Sequence, residues 1–402
     1  MIKLKIDNFG PIKHAELDFK KINILIGQQG AGKSCILKIA AFCMWLEKVY
    51  LSGEIDDLQR GISQKEFVEK HLLEFYKLDE YAVVAENKYS TISFNDNDNI
   101  KICVYFKQND DKWIDIELIN KPKSSHKIAY IPAERFLVSA IPNLLELRIR
   151  DNDIYKYLVD WEYAHRCFPI NNKLKILKLK ANFYYDEGSR TDYLEIKDNK
   201  KTKTIRLANA ASGFQSVIPI CVLINYYLGN NGTLSLVMQK RVRELHDLIK
   251  QFSNDDTLEK DLTERIKYIR DNRNCNIFLE EPEANIFPDT QNDLVRWLIT
   301  AFNNGFDNSL FIATHSPYIL SAFNNLIQAS NSSNDSNIAE IQNIMQMKQF
   351  VNFEDISVFE VADGTVKDIK NYEMRIIDAN AIDSVSDLIN EQFSKLLQYE
   401  GD

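Results

Sequence analysis

Long apolar runs are scarce in this sequence. None exceeds the eight residues of Val217 to Ile224, a run that contains Pro219, whereas a helix that crosses a bilayer needs about 20. No membrane-spanning helix is expected. The opening Met1-Ile2-Lys3-Leu4-Lys5-Ile6 alternates apolar and basic side chains, which is the pattern of a strand and not of a secretion signal. The six cysteines (35, 43, 103, 167, 221 and 275) form no Cys-x-x-Cys pair, and histidines also number six. A disulfide framework or a zinc site is therefore not expected; reduced thiols of a soluble cytoplasmic protein are. Positive charge is short too. Lys and Arg number 49 against 58 Asp and Glu, for a net charge of -9. The chain as a whole is a poor binder of polyanions, which leaves nucleic acid to a local basic patch.

The composition that remains is globular: 402 residues, 45% hydrophobic and 27% charged. That length allows two or three domains, or one with insertions. Ile2–Ile6 and Ala15–Phe19 read as strands around the turn at Asn8-Phe9-Gly10-Pro11, and Ile22–Ile26 is a short buried strand stopped by glycine. Helical spacing follows from Gly32 to about Tyr50 and again over 54–80. Three β-rich runs, Tyr89–Phe94, Ile100–Phe106 and Trp113–Ile119, predict an antiparallel meander. Residues 136–180 read as mostly helical, with Lys173, Lys175, Lys178 and Lys180 close together. Strands are expected at Ala181–Tyr185 and Tyr193–Lys197, a helix from about Ser212, and two polar helices over 236–272 broken at Ser253-Asn254-Asp255-Asp256. Asn276–Leu279 and Leu310–Ala313 read as buried parallel strands. A hairpin at Asp363-Gly364 and a closing helix over Asp383–Leu397 complete the pattern.

One motif carries most of the chemistry. Gly27-Gln28-Gln29-Gly30-Ala31-Gly32-Lys33-Ser34 fits G-x-x-x-x-G-K-[ST] and lies between a buried strand and a helix. Glycines let backbone N–H groups turn toward phosphates, and the helix N-terminus adds partial positive charge. Lys33 supplies a point charge for the β- and γ-phosphates, and Ser34 a hydroxyl for Mg²⁺. Downstream, Ile277-Phe278-Leu279-Glu280-Glu281-Pro282-Glu283 is an apolar strand ending in carboxylates. Glu280 is placed to hold a metal ion and Glu281 to polarise an attacking water. A further apolar strand runs into Thr314-His315-Ser316-Pro317, where His315 is placed to contact the γ-phosphate.

These elements, in this order, resemble the ATP-binding-cassette class of P-loop ATPases, and more closely the bacterial branch of OLD-family, RecF-like and SMC-like ATPases. Glu280-Glu281-Pro282-Glu283-Ala284-Asn285-Ile286-Phe287-Pro288 is similar to that branch's E-E-P-E-x-h-L-h-P run, in which the second glutamate is catalytic; Asn285 stands where many relatives carry histidine. Ile6-Asp7-Asn8-Phe9-Gly10-Pro11-Ile12 resembles its opening, and Tyr130-Ile131-Pro132-Ala133-Glu134-Arg135 a segment that borders the nucleotide, which implies a nucleotide-binding role for Arg135. Ala211-Ser212-Gly213-Phe214-Gln215-Ser216 is the candidate signature loop, with Ser212 and Gly213 meeting the γ-phosphate held by a second subunit; Phe214 and Gln215 replace more polar residues of transporter-type signatures. The resemblance implies an α/β fold: an ABC-type ATPase head with a mixed or parallel P-loop sheet, an antiparallel β subdomain and an inserted helical lobe. The expected divisions are 1–135, 136–272 and 273–402.

The implied cofactors are ATP and Mg²⁺, and the implied assembly is a homodimer or higher homo-oligomer formed by ATP-dependent head pairing. The interval between Lys33 and Glu281 is too short for SMC arms. The tail after His315 is too short for a fused OLD-type nuclease and shows no acidic metal cluster. Cutting of nucleic acid is then expected in a separate effector protein, a nuclease or toxin, as for the stand-alone ATPases of bacterial anti-phage systems that the tail resembles. The alternative is a RecF- or SMC-like ATPase of DNA repair that binds DNA directly. Its support is the basic segment of Lys173–Lys180 with Lys200, Lys201, Lys203 and Arg206, which a solvated helix face explains equally well. A scaffold that binds ATP without turning it over is the third reading, and Glu281 argues against it.

Overall fold

The fold is taken from a computed structural model. It describes residues 2–52, 55, 61–82, 89–96, 99–106, 113–120, 126–141, 152–198, 201–229, 236–251, 256–270, 274–303, 307–378, 391, 392, 394 and 395. The expected closing helix at Asp383–Leu397 lies outside the described residues for most of its length, as does Lys200.

Two strands of alternating burial, β1 (Ile2–Phe9) and β2 (Ile12–Phe19), pair antiparallel at the start of the chain. Next comes β3 (Ile22–Ile26), in which all five residues are buried. Such a strand needs cover on both faces, and the sheet supplies it. Ile22, Ile24 and Ile26 join one apolar core, whereas Leu25 joins another that holds most of α1 (Lys33–Leu51). The meander of β4 (Ser90–Asp96), β5 (Ile100–Phe106) and β6 (Ile114–Leu118) forms where expected and joins the same sheet through the β1–β4 pairing. It is preceded by a short helix, α2 (Gln64–Val68), with a Ser63/Glu66 capping box.

The remaining strands of this sheet are β7 (His126–Ile131), β12 (Asn274–Glu280), β13 (Ser309–Thr314), β14 (Ile356–Ala362) and β15 (Thr365–Asp368). Eleven strands run in the order β6-β5-β4-β1-β2-β15-β14-β3-β13-β12-β7. The five from β14 to β7 are parallel to one another. The fold is thus α/β with one large mixed sheet. Helices cover the parallel part: α1 on one face, and on the other α4 (Ser212–Leu228), α7 (Pro288–Phe302) and α8 (Pro317–Ser332), whose apolar residues lie in the first core.

Before α4 the chain departs from the sequence reading. Only α3 (Asp153–Ala164) is a sustained described helix between 136 and 180. Lys173 to Lys180 fall instead on and around β8 (Leu174–Ile176). With β9 (Ala181–Asp186), β10 (Thr191–Asp198) and β11 (Lys201–Arg206) it makes a second, antiparallel sheet of four strands where two had been expected. The lysines of this region therefore do not share a helix face. After α4, helices α5 (Leu236–Gln251) and α6 (Asp256–Arg270) form the expected polar pair, held by a small core of Val242, Leu245, Leu262 and Ile266. Asp363 (φ 52) and Gly364 (φ 78) form the tight turn of the β14–β15 hairpin. No described helix is long and apolar enough to cross a membrane.

Candidate functional site

Sheet register brings the chemistry to one edge. Ile26 of β3 pairs with Thr314 of β13, Ala313 with Glu280 of β12, and Leu279 with Ile131 of β7. The carboxyl ends of four parallel strands are thus level, and each continues directly into an expected site segment: Gly27, His315, Glu281 and Pro132. Ligands of open parallel sheets bind at this edge.

The phosphate loop follows β3. A Cβ on Gly27 would stand 2.2 Å from the Val361 carbonyl oxygen, so β14 packs too closely for any side chain there. Gly32 is left-handed (φ 105) and enters α1, where no side chain caps the helix and no acidic residue stands in the first turn. The N–H groups of that turn, at Lys33 and Ser34, point out of the helix as an anion site requires. Gln28, Gln29 and Gly30 are exposed, and Ala31 and Ser34 half-buried.

Lys33 is only 4% exposed, and its ammonium lies inside the loop. Nζ donates to the carbonyls of Gly27 (2.9 Å) and Gln28 (2.8 Å) and sits 3.2 Å from His315 Nδ1. Burial lowers its pKa, against the opposing pull of the Glu281, Glu283 and Glu280 carboxylates. His315 Nε2 in turn lies 3.3 Å from Glu281 Oε1, and Nδ1 lies 3.0 Å from the Gly27 carbonyl. Lys33, His315 and Glu281 thus stand in one line of contacts, with the ring between the ammonium and the carboxylate.

Glu281 is held in an unusual backbone state, with φ 42, and its N–H donates to Ala313 O at 2.7 Å. Its carboxylate remains half-exposed beside His315. Glu283 accepts the His315 backbone N–H at 2.6 Å through Oε1, whereas its Oε2 is buried without a hydrogen-bond partner. Glu280 is buried. Tyr130 donates its hydroxyl to Oε1, and the Ala133 N–H lies 3.4 Å from Oε2. Burial raises the Glu280 pKa, Glu134 adds to the rise, and Lys38 and the Tyr130 hydroxyl oppose it. With the Ser34 hydroxyl, Glu280 offers the hard oxygen donors that suit Mg²⁺, an ion that takes one or two carboxylates and completes its shell with water and phosphate. These residues fit the ion.

Arg135 departs from its expected place among nucleotide ligands. It is 1% exposed, and its guanidinium donates to backbone carbonyls: Nε to Ser216 (3.0 Å), one terminal nitrogen to Glu280 (2.8 Å) and the other to Glu281 (2.7 Å). The Tyr157 hydroxyl donates to its carbonyl at 2.6 Å. The reason lies in α4. Pro219 has no N–H to give the Gln215 carbonyl one turn back, and its ring pushes that turn outward. Ser139 Oγ donates to the freed Gln215 oxygen at 3.0 Å, and Arg135 takes the next carbonyl, that of Ser216. Arg135 thus ties the helix headed by Ser212 and Gly213 to the backbone of the acidic pair.

That helix begins without a side-chain cap and without acidic residues in its first turn, and Ser212 is exposed. Gly213 packs on the Asn285 carbonyl, which a Cβ there would approach to 3.1 Å, and Asn285 Nδ2 donates to Ser216 Oγ at 3.0 Å. Gly213 thus lies against the loop at Asn285 and Ile286 that follows the acidic pair. Tyr130, Glu283, Lys38 and Ser139 are parts of the site that sequence reasoning left without a role. Tyr130 and Glu283 stood inside motifs already singled out; Lys38 and Ser139 carried no signal of their own.

The family model described as an AAA ATPase domain matches residues 1–268. No curated protein matches the sequence. Among solved structures, the SMC head domain from Thermotoga maritima is 9% identical, with coverage of 91% of this chain and 97% of that one and a TM-score of 0.37. The Smc head domain derived from Pyrococcus furiosus is 12% identical (92% and 96% covered, TM-score 0.35). The recombination mediator protein RecF is 12% identical (91% and 97% covered, TM-score 0.32).

Proposed function

The chain belongs to the AAA ATPase domain family, and from that premise we propose that it is an ABC-type switch ATPase that binds and hydrolyses Mg-ATP while paired with a second copy of itself. The observation that carries this reading is the line of contacts Lys33–His315–Glu281, at 3.2 and 3.3 Å, at the carboxyl edge of the parallel strands. Lys33 is placed to exchange its carbonyl partners for phosphate oxygens, with the loop N–H groups around them. His315 touches both Lys33 and Glu281, so a change at the phosphates reaches the base through one ring. Glu281 takes the proton of the attacking water. Mg²⁺, held through Ser34 and Glu280, supplies neutralising charge for the phosphates.

Ser212 and Gly213 head an uncapped helix start that suits an anion, and Ser212 is exposed there. A second copy completes each site by presenting this helix to the γ-phosphate. Loss of that phosphate then releases the pair, so the output is conformational. It is passed to a separate effector, a nuclease or toxin, in anti-phage defence; co-purification with the product of a neighbouring gene identifies that partner. The experiment for the active site is single-turnover hydrolysis. Glu281→Gln retains ATP but loses hydrolysis by about 100-fold or more; normal turnover in this variant removes Glu281 as the base.

One observation favours a second reading, direct DNA binding as in RecF-like repair ATPases. Lys201, Lys203 and Arg206 are exposed on β11, an edge strand. Binding of duplex DNA by the isolated chain that weakens steeply with salt supports it.

A further inference from the structure

A basic cleft lies on a different side of the molecule. Helix α7 starts beside the acidic loop and runs back along the sheet toward the amino end of β13. Arg296, Trp297 and Thr300 are eight to twelve residues into it, about 12–18 Å from the helix start at 1.5 Å per residue. Together with Lys175 and Lys178 of the β8 region and Lys348, they line a cleft of ≈ 350 Å³ that no phosphate-loop residue enters. Four cations meet there in a chain whose net charge is -9. Its carboxylate, Asp293, is engaged by Lys178 at 2.6 Å. Lys175 and Lys348 are exposed and make no ion pair among the described residues. Arg296 is half-buried and lines the cleft without an ion pair among the described residues.

Two further features narrow the ligand. Trp297 and Leu177 give the cleft an apolar wall beside the amides of Gln346 and Gln349. An aromatic and amide lining next to cations suits a planar base joined to a phosphate. Leu177 holds a left-handed backbone (φ 43), a strained state for a bulky residue and one that gathers at ligand sites. The volume stands at the small end of ligand pockets, the size of one nucleotide rather than a long chain. We propose that this cleft is a second nucleotide site, which takes one nucleoside monophosphate unit with its phosphate on Arg296, Lys175 and Lys348. The unit comes from a free nucleotide or from one residue of a nucleic-acid strand.

Isothermal titration of the full chain with adenosine 5′-monophosphate, and separately with a ten-residue deoxythymidine strand, tests it. Saturable binding is expected, unchanged in Lys33→Ala and weakened about tenfold in Arg296→Gln and in Lys348→Glu. Lys348 is exposed, so its variant decides the matter if Arg296→Gln does not fold. Tighter binding of the monophosphate identifies a free nucleotide as the source, and tighter binding of the strand identifies nucleic acid; both retain the site. Absence of saturable binding by either probe overturns it, as does binding lost in Lys33→Ala and kept in both cleft variants.

Discussion

Replacing Arg135 by lysine separates positioning from phosphate binding. The guanidinium reaches four carbonyls, three of them close and in different directions at 2.7, 2.8 and 3.0 Å, and that of Pro132 at 3.4 Å. A lysine keeps the charge but donates from a single nitrogen, so at least two of these buried oxygens lose their donor. At about 1.5 kcal/mol for each charge-assisted bond, the folded state loses about 3 kcal/mol, read from urea unfolding. The kinetic effect follows from Glu281, whose left-handed backbone carries a cost of about 1 kcal/mol that Arg135 helps to hold. Freed from that bond, Glu281 relaxes and its carboxylate leaves His315; a displacement near 1 Å costs about 100-fold in rate. The phosphate loop is built by β3, β14 and α1 without Arg135. Hydrolysis of ATP by Arg135→Lys is therefore expected to show kcat lowered by about 100-fold and KM nearly unchanged. A raised KM with kcat preserved would refute this account and make Arg135 a phosphate ligand, as the sequence had suggested.

Other perturbations reach the remaining parts of the site. Lys33→Ala removes the loop's buried cation and should weaken ATP binding by at least about 100-fold, near two charge-assisted bonds, with fluorescence titration as the check. Gly27→Ala drives a methyl group to within 2.2 Å of the Val361 carbonyl; a loss of about 2 kcal/mol in urea unfolding and a weaker ATP complex are expected. Glu47, on α1, has its pKa pushed up from 4.5 to about 8 by burial and by nearby Asp96, against a hydrogen bond from Asn99. A raised folded-state value means that its stabilising contribution is fully present below pH 4.5 and is lost as pH rises through about 8. Glu47→Gln should flatten the pH dependence of stability across that window, and an unchanged profile would contradict the assignment.

Much of the site was legible because it is local. The phosphate loop, the acidic strand and the His315 strand each carry their signal within about ten residues: a buried run, a stop, then polar groups at the carboxyl end. The four-stranded sheet was not legible in that way. Lys201-Thr202-Lys203-Thr204 has no apolar face to mark a strand, since β11 is an exposed edge paired only with β10. Lys173 to Lys180 suggested a helix by composition, whereas Leu177 and Lys180 adopt left-handed turns between β8 and β9. The place of Arg135 rests on long-range packing: Pro219 in α4 leaves the Gln215 carbonyl to Ser139, 76 residues away, and Arg135 takes the neighbouring Ser216 carbonyl, 81 residues away. Motif position brought Arg135 to notice; only packing shows what it holds.

The central claim is that two chains close around ATP and part when its γ-phosphate leaves. Sedimentation velocity of full-length Glu281→Gln in Mg²⁺ with ATP, then with ADP, measures this most directly. The account expects twice the single-chain mass with ATP and reversion with ADP, and loss of the ATP-dependent species when Ser212 is also changed to arginine. An ATP-saturated variant that keeps one and the same mass with both nucleotides would contradict it.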